Sequence, residues 1–146
     1  PVVGNVTQVL CSIQVNPNFD QVNPGVLDPG DGFNLIVTLG NGTTNTANGV
    51  SITNLAADQG FVIFNTPQNE VIASPNIPAG GTVTLSIPSV SLGIDNSTPQ
   101  GSSFNLSFDV VSDGQTRRFQ CGPVTLGVTG NTTPMTNATP ISGITP

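Results

Sequence analysis

Apolar and polar residues alternate along most of this chain, and no window of about 11 residues carries the stripe of an amphipathic helix. The alternation predicts an all-β domain. Val9, Cys11, Ile13 and Val15 mark a first strand over 8–15, and Phe33, Leu35, Val37 and Leu39 a second over 33–39. Val50 and Ile52 fall in a third over 48–54, and the apolar run Phe61–Phe64 predicts a short strand, either buried on both faces or packed at a corner. Val83, Leu85 and Ile87 alternate with Thr and Ser over 82–87, Phe104, Leu106, Phe108 and Val110 over 104–111, and a last strand covers 116–128. Seven to eight short strands separated by turn signals predict an immunoglobulin-like two-sheet sandwich with extended termini.

The final hairpin has a readable register. Asp113-Gly114 suits a two-residue type I′ turn, which sets Ser112 opposite Gln115, Phe108 opposite Phe119 and Leu106 opposite Cys121. The same count places Asp109 across from Arg118 on the outer face, as a cross-strand ion pair. Beyond Cys121 the apolar positions change parity to Val124, Leu126 and Val128, which requires a bulge at Gly122-Pro123.

Composition then narrows the chemistry. Arg117 and Arg118 are the only basic residues among 146, against eight acidic ones, and the net charge is −6 with no His. Two cations cannot neutralise a run of phosphates, so nucleic acid is excluded as a partner. No apolar stretch approaches the roughly 20 residues of a membrane helix. Without His or Lys, nucleophilic catalysis lacks its usual base, and no carboxylate pair stands out as a glycosidase site; Asp109 and Asp113 lie on one strand and its turn. The chain is expected not to be an enzyme and to need no cofactor or metal. Asp28 and Asp31 in Leu27-Asp28-Pro29-Gly30-Asp31-Gly32 offer oxygen ligands for calcium, but their spacing lacks the dense carboxylates of a dedicated loop, and a Pro-Gly turn bearing solvated acids is the simpler reading. The seven Phe residues fall almost all on inward positions, which leaves no aromatic platform for sugars.

Cys11 and Cys121 are the only cysteines, and an even pair near opposite ends reads as a disulfide, hence an extracellular or cell-surface setting. Closing so long a loop stabilises by about 4–5 kcal/mol in the chain-entropy account. Six N-x-[ST] triplets, at Asn5, Asn41, Asn96, Asn105, Asn131 and Asn137, are candidate glycan acceptors, with Asn41, Asn131 and Asn137 favoured. The chain has 54 uncharged Ser, Thr, Asn and Gln residues, and a surface with so little charge needs glycans, or burial in a polymer, to stay hydrated and unassociated. The chain opens on Pro1 with no charged-then-apolar leader, which predicts a removed signal segment or a longer precursor.

Three regions follow: an N-terminal extended segment 1–8, the sandwich 9–128, and a Thr/Pro/Asn-rich tail 129–146. The tail cannot fold alone. Extended, its 18 residues reach roughly 60 Å, beyond the roughly 30–40 Å of a domain this size, so it is expected to lie on a neighbouring copy. Sheet edges accept such segments by main-chain pairing. Val2, Val3 and Val6 make the N-terminal segment a candidate donor strand, and Met135, Ile141 and Ile144 are apolar anchors in a tail whose prolines at 134, 140 and 146 disfavour a central strand.

The run Val26-Leu27-Asp28-Pro29-Gly30-Asp31-Gly32-Phe33-Asn34-Leu35-Ile36-Val37-Thr38-Leu39-Gly40-Asn41-Gly42-Thr43, followed by Thr46-Ala47-Asn48-Gly49-Val50-Ser51-Ile52, resembles the CARDB-like, immunoglobulin-like adhesion domains of bacterial and archaeal surface proteins. The resemblance continues loosely through Pro78-Ala79-Gly80-Gly81 and into Phe104–Val110. It implies repeats, stalks, adhesins and filament subunits, and carries no active site. Independently of it, Pro29-Gly30 sets a tight turn, and Gly40, Gly42 and Gly49 are expected to supply positive φ. The leading expectation is a structural subunit of an extracellular filament, pilus or surface layer, a self-assembling polymer through its termini. The alternative is a ligand-binding adhesion module of a larger cell-surface protein.

Overall fold

The computed structural model describes residues 6–15, 26–64, 71–128, 136–137 and 139–142, with 87–91 and the last two stretches described by backbone alone. These residues form ten strands and no helix: β1 (Gln8–Val15), β2 (Gly32–Gly40), β3 (Ser51–Ala57), β4 (Val62–Phe64), β5 (Ile72–Ala73), β6 (Thr82–Ile94), β7 (Ser103–Ser112), β8 (Gln115–Thr125), β9 (Thr136–Asn137) and β10 (Thr139–Ser142). Two five-stranded antiparallel sheets result, ordered β4-β6-β2-β1-β9 and β10-β8-β7-β3-β5. Without β5 and the two tail strands, β4-β6-β2-β1 facing β8-β7-β3 is the strand order of a constant-type immunoglobulin sandwich.

Alternation explains the core. Phe33, Leu35, Val37 and Leu39 of β2 are fully buried, and they face Phe104, Leu106, Phe108 and Val110 of β7, with Val9, Cys11 and Ile13 of β1 completing the layer. Phe104 anchors one end, 5.9 Å from the ring of Phe33 and edge-on to Phe61 at 6.0 Å, within the range of favourable aromatic pairs.

The last hairpin keeps the expected register, Ser112↔Gln115 through Leu106↔Cys121, and then shifts so that Phe104 meets Val124. The bulge therefore falls at Gly122-Pro123, joined by a cis peptide bond. Asp113 and Gly114 have φ of 52° and 76°, both left-handed as a type I′ turn requires. The Asp28-Pro29-Gly30-Asp31 turn closes with Asp31 N donating to Asp28 O at 3.1 Å, and Gly30 sits at φ 91°.

Several expectations are corrected. The third strand spans 51–57 rather than 48–54, because Ala47 bridges to Ile77 and Gly49, at φ 59°, turns the chain. Gly40 and Gly42 do not supply positive φ: Gly40 is a β2 ladder residue, and Gly42 makes a close approach, since a Cβ there would stand 2.9 Å from Thr7 Oγ1. The Phe61–Phe64 run is not buried on both faces; Val62 points inward while Ile63 is 45% exposed on the edge strand β4. The strand read as 82–87 runs on to Ile94. Its ladder with β2 jumps from Leu35↔Ile87 to Phe33↔Leu92, and this irregularity takes in Pro88, which has no amide to donate.

The tail departs most. Residues 136–137 and 139–142, expected to be extended on a neighbour, form β9 and β10 against the chain's own sheets. Val6 and Gln8 likewise belong to the sandwich: Val6 is fully buried, Thr7 N donates to Gly40 O at 2.8 Å, and Gln8 opens β1.

Candidate assembly surface

The feature that sets this sandwich apart lies along one side, where β1 of one sheet and β8 of the other run close together. Cys11 of β1 and Cys121 of β8 are joined, with Cα atoms 6.2 Å apart and a sequence separation of 110. Both are inward-facing and buried, because each sits on the apolar parity of its strand. The cross-link thus ties the two outer strands of the body to each other, unlike the central B–F bridge of antibody domains.

The tail crosses this seam. β9 adds to β1 with Thr136 opposite Cys11 and Asn137 opposite Leu10. With only position 138 between, β10 adds to β8, pairing Thr139 with Gln120, Pro140 with Phe119 and, after a register shift, Ser142 with Arg118. Among the described residues, β9 and β10 are therefore the outermost strands of both sheets on that side.

Both arginines stand beside it. Arg118 donates from Nη1 to Asp109 Oδ1 at 3.1 Å and from Nη2 to Ser107 Oγ at 2.8 Å. Asn54, held at φ 55° in an irregularity of β3, adds a third donor to this group, Nδ2 to Asp109 Oδ2 at 2.8 Å. The Asp109–Arg118 pairing follows the expected register, but Asp109 is 7% exposed and not on an open outer face. Arg117 lies over the Phe119 ring, 5.4 Å from its centroid, and its Nη2 donates to Val6 O, which pins the start of the described chain to β8.

The glycan candidates divide sharply. Asn41 is 2% exposed and its amide is fully used: Nδ2 donates to Asn45 O at 2.8 Å and Ile77 O at 2.9 Å, while Oδ1 accepts from Thr43 N at 2.9 Å and Thr43 Oγ1 at 2.6 Å. A sugar on that nitrogen is incompatible with this fold, which corrects the preference for Asn41. Asn105 is also engaged, through Nδ2 and its backbone N to the two oxygens of Asp58 at 2.8 and 2.7 Å; its Oδ1 is buried beside Gly122 with no partner among the described residues. Asn96 is exposed, in the turn after β6. In that turn Asp95 Oδ1 accepts from Ser97 N at 3.0 Å and Ser97 Oγ at 2.9 Å, and the Ser97 amide above all holds the Asp95 carboxyl below its ordinary range. Asn5 and Asn131 lie outside the described residues, and Asn137 is described by backbone alone.

Asp28 and Asp31 are buried at 0% and 1%, which corrects the picture of solvated acids. Asp31 Oδ2 accepts from Asp28 N at 2.8 Å and Asp28 Oδ1 from Gln100 Nε2 at 3.0 Å, so the carboxylates bind the turn to the loop before β7. No set of three or more His, Cys, Asp or Glu suited to a metal occurs among the described residues.

Of the candidate assembly contacts, Val6 is in the core and Ile141 in β10, whereas Val2, Val3, Met135 and Ile144 lie outside the described residues. Among the described residues no helix is long and apolar enough to cross a membrane. The structural roles of Asn54 and Asp58 had no signal in the sequence, because each depends on a partner on another strand, Asp109 for Asn54 and Asn105 for Asp58. Comparison with known proteins finds no matching family model, curated protein or solved structure.

Proposed function

We propose that this chain is a structural subunit of an extracellular filament, pilus or surface layer, built through terminal segments that dock on neighbouring copies. The observation that carries the reading is the pairing of tail residues with the outer strands β1 and β8 of both sheets. It favours a body whose edges take extended segments of this same sequence by main-chain hydrogen bonds. An oxidised cross-link and a surface poor in charge fit life outside the cell and burial within a polymer. The resemblance of residues 26–52 to CARDB-like adhesion domains points the same way. No catalytic role is proposed.

Glycans belong to the same proposal, with Asn96 as the acceptor among the described triplets. The test is to purify the protein from its native surface, image it and pellet it. Regular polymers are the expected result. A protein that stays monomeric and binds a receptor would replace this reading with that of an adhesion module.

A further inference from the structure

The tail and the N-terminal segment compete for the role of connector, and the two are held very differently. Val6 is fully buried, its carbonyl is taken by Arg117, and Thr7 and Gln8 are bonded to or paired with Gly40. Residues 6–8 are thus built into their own sandwich, and releasing them would open the core.

The tail strands are attached by little. β9 has two residue pairs with β1, and β10 has three with β8, interrupted by a register shift beside Pro140, which cannot donate a hydrogen bond. The surfaces beneath them are firm, because the Cys11–Cys121 bond and the hairpin with β7 hold β1 and β8 whether the tail is present or not.

A strand that pairs with an edge through its main chain meets the same partners whichever copy supplies it, and exchanging an identical element is a low-cost route to association. In an isolated chain, connection through the backbone gives the tail a high effective concentration at its own edges. A neighbour whose edges come within reach of the tail offers it the same pairing. We infer that residues 136–142 exchange between copies, the tail of one pairing with β1 and β8 of the next in the registers Cys11↔Thr136, Leu10↔Asn137, Gln120↔Thr139 and Phe119↔Pro140. The partner is a second copy of this chain. Tail and paired edges are different surfaces, so the contact is heterologous and extends into an open filament where its rotation does not close. This inference rests on the self-assembly proposed above.

The test uses full-length chains. Leu10→Cys in one and Asn137→Cys in the other are mixed, assembled and oxidised, since directly opposed residues of an antiparallel pair are close enough to bridge. Gln120→Cys with Thr139→Cys repeats the test on the other sheet. Dimers linked 10–137 or 120–139, identified by peptide mapping, are the expected result. If the mixtures polymerise without linked dimers, while chains carrying both cysteines of a pair close internally, the exchange is overturned and the filament reading stands. If the unmodified chain forms no polymer, the filament reading itself fails and the exchange with it. Should the cysteine variants misfold, a free peptide of residues 129–146 added to the unmodified chain is the second measurement. Growth halted by excess peptide supports exchange, and growth unaffected by it counts against.

Discussion

Asn41 shows how a residue type scattered sixteen times along the chain becomes structural at one position. Its four side-chain hydrogen bonds tie the 41–45 loop to Ile77, and its backbone joins Gly80 and Gly81 at 2.7 and 3.0 Å. Asn41→Ala removes all four side-chain bonds at a buried position, including the acceptor of Thr43 N, so a loss of about 1–3 kcal/mol is expected in denaturant unfolding. Asn96→Gln should leave the unfolding midpoint unchanged and remove whatever sugar that site carries, as read by intact mass. Asp95 supplies a pH signature. Its carboxyl titrates below the ordinary value of 3.8 because the Ser97 amide and hydroxyl bind the ionised form. A depressed folded-state value means stability that is fully present above 3.8 and lost as pH falls through the lower folded value. Asp95→Ala should remove that part of the acid dependence, measured as unfolding midpoint against pH.

At the scale of elements, strands with strict alternation were legible and interrupted ones were not. The 104–111 and 116–128 hairpin could be registered residue by residue because Asp113-Gly114 fixes the turn and parity fixes the face. The extension of β6 past Pro88 was hidden because the ladder irregularity that tolerates a proline depends on the partner strand. β5, β9 and β10 were hidden for a different reason: strands of two to four residues have no periodicity of their own and exist because an edge is already there. The seam along β1 and β8 was half legible, since the cysteines announced the cross-link but nothing local told the tail where to lie. The bulge at Gly122 offers a test of how tightly that seam is built. Gly122 has φ 126°, and an added Cβ would stand 2.7 Å from Asn105 Oδ1 and 3.1 Å from Phe104 O. Gly122→Ala is expected to destabilise by more than about 1 kcal/mol, since the native conformation is strained for any L side chain. Chevron or equilibrium denaturation would measure it.

Over the whole molecule, cohesion comes from apolar faces, hydrogen-bonded turns and one covalent bond, while opposite charges meet in a single ion pair among the described residues, Asp109–Arg118. Polymerisation through main-chain pairing should therefore change little with added salt, because screening acts on interactions between charges. Light scattering at low and high ionic strength would show it, and a steep salt dependence would point to a joint made of ion pairs. The position of the cross-link has a mechanical consequence. Pulled from its two ends, the chain meets Cys11 and Cys121 before the force reaches the loop between them, so tension passes through a covalent bond and bypasses that loop. Only the residues outside that loop can pay out, about 125 Å of slack at roughly 3.4 Å each, against about 500 Å for the fully reduced chain. Single-molecule stretching with and without reductant should show the two lengths. A chain wired this way behaves under load like a short tether: the outer ends of β1 and β8, with Val6, Val9 and Leu126, can be peeled from the core, but the loop between the cysteines cannot be drawn out until the bond is reduced.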